Sequence, residues 1–140
     1  DPRNSGALVL IPGASQADAD RAIEEDGIIR FNDALVFAVD VFDDRVDTQT
    51  GAGIRQVEFD VYYFDDEGEK ITVHFQTERS VPYCVFADTG GACNVWRFSE
   101  HNFRWPNGEP LEPDTVFQAD ITIRPVDGDS ALWLWQFRMD

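Results

Sequence analysis

Residues 56–64 read QVEFDVYYF, and their alternation decides the fold. Val57, Phe59, Val61 and Tyr63 fall on one face of an extended chain, with Glu58, Asp60 and Tyr62 on the other, as in a half-buried strand of period two. The next apolar stretch, ITVHFQT at 71–77, repeats the pattern and predicts Ile71, Val73 and Phe75 inward, with His74 outward. Between the two runs FDDEGEK supplies a turn near Glu67 and Gly68, so the pair reads as a hairpin.

The pattern recurs toward the C-terminus. VFQADITIR sets Phe117, Ala119, Ile121 and Ile123 on one side, ALWLWQFRM does the same with Trp133, Trp135 and Phe137, and Asp127, Gly128 and Asp129 turn between them. Upstream, IIRF and ALVFAVDVF read as a strand pair about Asn32 and Asp33, and VWRF at 95–98 completes a set of about seven strands. Only residues 14–26 suit a helix, with Ser15 as cap, Asp18 three positions on and Gly27 as terminator; a plain acidic linker is the other reading. Short strands spaced by turns predict an all-β fold, an antiparallel β-sandwich.

Length and charge narrow the class. The 140 residues, 43% hydrophobic, suit one domain with an extension, and no apolar run is long enough to insert into a membrane. Twenty-seven acids against 11 basic residues leave a formal charge of −16, with Lys70 the lone lysine. Such a surface repels nucleic acid and anionic membranes, and it suits a saline or divalent-rich medium in which self-repulsion is screened. The chain opens at Asp1 without methionine or an apolar leader, so the expectation is a mature chain secreted to the cell surface or beyond.

Both cysteines lie in VPYCVFADTGGACNV at 81–95. An even pair in an exported chain favours a Cys84–Cys93 disulfide over a metal site or free thiols, and Asp88, Thr89, Gly90 and Gly91 are the turn formers that bring the sulfurs together. The spacing is too long for a zinc knuckle, and His74 and His101 follow no finger pattern.

The order GAGIRQVEFDVYYFDDEG, then VPYC, then WPNGEPL, a strand, VDGDSA and a closing aromatic strand resembles the bacterial Ig-like (immunoglobulin-like) modules of secreted and cell-surface proteins, over roughly residues 40–140. The resemblance implies an Ig-like antiparallel β-sandwich at 28–140, preceded by an N-terminal extension at 1–27 made of an apolar strand and an acidic linker. It also implies a non-enzymatic role as spacer, adhesive unit or binding domain.

Functional candidates follow from local chemistry. No nucleophile motif accompanies His74 or His101, and with so many acids a carboxylate pair is no sign of a glycosidase, so no catalytic residue and no cofactor is expected. Calcium is the one ion the sequence suggests, through Asp40, Asp43, Asp44 and Asp47 beside the glycine-rich TQTGAG. Phe103, Trp105 and Tyr62 are candidates for an aromatic platform that stacks on polysaccharide, unless Trp105 folds back over the end of the sandwich. In SGALVLIPG, Leu8, Val9, Leu10 and Ile11 form a continuous apolar run. It is either the first strand of its own sandwich or a donor strand that completes a neighbour's sheet, joining copies into a homo-oligomer or filament.

Overall fold

The computed structural model describes residues 28–139 in full and, of the residues before them, the backbone of 6–9 and 23–25. The fold is all-β and sandwich-like. A large sheet is built from β2 (Ile23–Glu25), β3 (Ile28–Phe31), β6 (Ile54–Phe64), β7 (Lys70–Glu78), β12 (Phe117–Pro125) and β13 (Ala131–Met139), in the order β2-β3-β13-β12-β6-β7. Across the core stands a smaller sheet in the order β1-β5-β8, from β1 (Gly6–Val9), β5 (Ala38–Val41) and β8 (Tyr83–Cys84). Two short pairs complete it: β4 (Ala34–Leu35) with β11 (Trp96–Arg97), and the hairpin of β9 (Asp88–Thr89) with β10 (Ala92–Cys93).

The alternating residues meet where the two sheets face each other. Val57, Phe59 and Val61 of β6 and Phe117, Ala119, Ile121 and Ile123 of β12 are fully buried, against Phe37, Val39, Val41 and Val85 on the opposite side. Phe37 is the cross-sheet anchor, edge-on to Phe59 at 5.8 Å and to Trp135 at 4.7 Å. Each such side chain contributes roughly 1.5–3 kcal/mol on leaving water.

Local pattern and tertiary structure part in three places. The expected hairpin about Asn32 and Asp33 does not form: β3 joins the large sheet, β4 and β5 belong to the opposite side, and the turn, with Asp33 at φ 64°, carries the chain across the core. Ile23–Glu25, in the stretch read as a helix or an acidic linker, is instead an edge strand antiparallel to β3, because sheet pairing outweighs a thin helical stripe; the rest of 14–26 lies outside the described residues. The sandwich is not purely antiparallel either. β3 runs parallel to β13, Ile28 opposite Gln136 through Phe31 opposite Met139, since it arrives from the N-terminal side rather than through a hairpin.

Strand β1 pairs with β5 of its own chain, from Gly6 opposite Val41 to Val9 opposite Ala38. That register places Leu8 and Val9 at the edge of the smaller sheet, whereas Leu10 and Ile11 lie outside the described residues.

Candidate functional site

The site begins with one extra residue in β7. Val61 stands opposite His74, but Tyr62 stands opposite Thr72, so Val73 has no partner and the strand bulges there. Because side chains alternate with a period of two, one inserted residue reverses every face beyond it. His74, Gln76 and Glu78 therefore share the core-facing side with their partners Val61, Phe59 and Val57. Phe75, expected inward, is 56% exposed, and His74, expected outward, is half-buried.

That polar flank of β7 is roofed by the disulfide loop. Cys84 and Cys93 are bonded. The loop reverses at Gly90 and Gly91, whose φ of 60° and 88° suit a two-residue hairpin turn closed by Thr89 opposite Ala92. Asp88 Oδ2 accepts the Gly91 N–H at 2.9 Å, and the Asn94 amide donates to Phe86 O at 3.1 Å while its oxygen accepts from Thr89 Oγ1 at 2.8 Å. The loop is thus cross-linked, capped and tied down.

His74 Nε2–H donates to the Val85 carbonyl at 2.6 Å. Burial pushes its pKa below the ordinary histidine value, with the bond to Val85 opposing the shift, so the ring is neutral at pH 7. From His74 a ladder of rings crosses the site: His74 to Phe86 at 4.6 Å, Phe86 to Trp96 at 6.0 Å, and Trp96 to His101 at 3.6 Å with the planes 9° apart. Trp96 is oriented by its Nε1–H, which donates to Arg104 O at 2.9 Å. Beside the ladder opens a cleft of about 440 Å³ lined by His74, Gln76, Phe86, Trp96, His101 and Pro106, with the Asn94–Val95 segment at its side. An uncharged imidazole, an amide and aromatic rings around one cleft suit a neutral, hydrogen-bonding ligand.

Sequence reasoning missed this site because it draws on five separated segments and on a bulge. The clue in the sequence was the pair His74 and His101, the two histidines of the chain, with Phe75 next to the first and Phe103 two residues beyond the second.

The candidate aromatic platform is not assembled, and the alternative holds in which Trp105 folds back over the end of the sandwich. Trp105 is 2% exposed, packed edge-on to Phe98 at 4.8 Å and to Phe117 at 5.1 Å, so it closes the end of the core and offers no face to a sugar. Tyr62 is buried on the outer side of the large sheet, its hydroxyl donating to Asp120 at 2.8 Å and Lys70 Nζ lying 4.3 Å over its ring. Burial, then the bond and charge of Asp120, raise its pKa to about 12. Of the three, Phe103 alone is exposed.

The four aspartates proposed for calcium do not converge. Asp43, at 2% exposure, takes Arg45 Nη2 at 2.8 Å and Nε at 3.0 Å and caps the Arg45 N–H, while that guanidinium reaches on to Asp127 O at 2.6 Å. Asp40 accepts from the Thr50 hydroxyl, Asp47 caps Thr48, and Asp44 points to solvent. The half-exposed guanidinium of Arg45 thus neutralises the one buried carboxylate of the four. Among the described residues, carboxylates converge only at Asp65, Glu67 and Glu69, where Asp65 Oδ1 accepts the N–H groups of both glutamates as the β6–β7 turn residue.

No protein-family model matches this chain, and no curated protein matches it either.

Proposed function

We propose that this chain is an immunoglobulin-like module of an exported or cell-surface protein, structural or adhesive in role, and that copies join by passing β1 from one to the next. Strand order supports the immunoglobulin-like part. The run β7-β6-β12-β13 corresponds to strands C′, C, F and G, and the facing β5-β8 pair to B and E. The Cys84–Cys93 bond fits an oxidising destination. No helix among the described residues is long and apolar enough to cross a membrane.

The observation that carries self-association is the placement of β1. It is an edge strand held to β5 over four residues, and residues 10–22 connect it to β2. A connection of 13 residues spans at most about 45 Å when extended, enough to deliver the same strand to a neighbouring β5. Exchange of an identical strand preserves every main-chain bond, so its energetic cost is low, and head-to-tail exchange generates open chains.

The register supplies the test. Ala7 stands opposite Asp40, so a chain carrying Ala7→Cys and Asp40→Cys can be oxidised and run under denaturing, non-reducing conditions. Exchange yields a ladder of covalent multimers. Monomers with an internal cross-link, at every protein concentration, would mean that β1 stays at home and would end this reading.

A second reading is favoured by the cleft: a module that binds polysaccharide. The binding surface is then the His74–His101 ladder, since the rings of Trp105 and Tyr62 are closed off.

A further inference from the structure

We propose that the end of the sandwich beside Met139 is a binding site for small organic ammonium ions bearing an aromatic or branched aliphatic body. The inference is independent of strand exchange and of the imidazole cleft.

A second cavity, of about 380 Å³, opens where the Asn32–Asp33 turn meets the loops after β11. Phe98, Leu111 and Met139 supply its apolar lining, Phe103 and Pro113 flank it, and Asp33 and Glu112 stand among these apolar side chains. The volume matches a small aromatic molecule. Phe103 leaves 57% of its surface in water, so an apolar body that covers it gains from dehydration.

Carboxylates set the sign of the ligand. Asp33 accepts from the Ser99 N–H at 2.8 Å and the Ser99 hydroxyl at 2.7 Å, both of them neutral donors. Glu112 makes no hydrogen bond or ion pair among the described residues. Arg138, which pairs with Asp114 at 3.7 Å, is not among the lining residues. Two carboxylates beside an apolar hollow on a chain of charge −16 repel anions and favour a cation. The exposed Phe103 ring adds a cation–π surface.

The backbone around the hollow is held rather than collapsed. Among the described residues five that are not glycine have positive φ; four of them, Asp33, Asn102, Phe103 and Asp114, line this cavity or adjoin a lining residue. Such conformations persist where the surroundings enforce them, and here Phe103 N–H donates to Phe98 O and Leu111 N–H to Phe103 O, both at 2.8 Å. The Phe103 ring is therefore presented outward by a pinned loop, so the site is formed before any ligand arrives.

Met139 is the chain's one methionine, so ¹³C-methyl-methionine labelling places a single NMR reporter in the cavity wall. The full chain is titrated with 2-phenylethylammonium, 2-phenylethanol, 3-phenylpropionate and tetramethylammonium at one ionic strength. The expected result is a saturable shift of the Met139 methyl with phenylethylammonium, roughly tenfold weaker affinity for the alcohol, and no saturable shift with the carboxylate or with tetramethylammonium. Glu112→Gln, a change at a partly exposed position, is expected to weaken the phenylethylammonium affinity several-fold. No saturable shift, equal response to the carboxylate, or equal affinity in Glu112→Gln each overturns the proposal.

Discussion

Replacing Trp105 distinguishes a core residue from a ligand platform, and the size of the effect follows from its surroundings. The indole is 2% exposed and packs on Phe98, Phe117 and Phe137 at centroid distances of 4.8, 5.1 and 6.4 Å. Large-to-small changes of buried Trp cost about 3–5 kcal/mol, and the three ring contacts place Trp105→Ala toward the upper end. With a urea m-value of about 2 kcal/mol/M, a loss of ~4 kcal/mol lowers the unfolding midpoint by roughly 2 M. Trp105→Phe is a control with a different sign of correction. It keeps a ring against Phe98 and Phe117 and removes an indole N–H that is buried without an acceptor among the described residues, a group whose burial costs about 1–3 kcal/mol. The phenylalanine variant is therefore expected within about 1 kcal/mol of the parent. Urea titrations followed by far- and near-UV circular dichroism measure both. An alanine variant whose midpoint moves by less than about 0.5 M at unchanged m-value would refute the assignment of Trp105 to the core.

Other outcomes follow from the same geometry. Removing the disulfide through Cys84→Ala with Cys93→Ala frees a loop with a sequence separation of nine and is expected to lower stability by about 2.7 kcal/mol in the chain-entropy account. Urea midpoints of the parent and the double variant check it, and identical midpoints would show that the hydrogen bonds of Asn94 and Asp88 already hold the loop. His74 sets an acid-side slope: burial keeps its folded pKa below the unfolded value near 6.5, so the unfolded chain takes up the proton first. Its contribution is complete above that pH and is lost as pH falls from about 6.5 toward the folded pKa. His74→Gln is expected to flatten stability between pH 7.5 and 5.5, and an unchanged slope in that window would assign it to other groups.

The reading of β6, β12 and β13 from sequence succeeded because each strand buries one face, and burial of one face leaves a local period that needs no knowledge of partners. Val57 to Val61, Phe117 to Ile123 and Phe137 are fully buried in the places where alternation puts apolar side chains. The disulfide was legible for a similar reason, since its two ends are nine residues apart and a Gly90–Gly91 turn lies between them. The candidate cleft was not. His74 faces inward because β7 carries one residue more than β6 between Val61 and Tyr62, and nothing within ITVHFQT itself shows a mismatch with another strand. The exposed Phe75 is the other half of that event.

Sequence alone determined the all-β class, the extent of the main strands, the staple and the acidic surface, because propensity, alternation, turn chemistry and charge are properties of neighbours along the chain. Tertiary structure alone decided that the Asn32–Asp33 turn crosses between sheets, that β3 lies parallel to β13, that Trp105 is inside, and that His74 and His101 flank one cleft. Those outcomes depend on which strand supplies the free edge and on how the end of the core is filled, and each is settled by contacts between residues far apart in the chain.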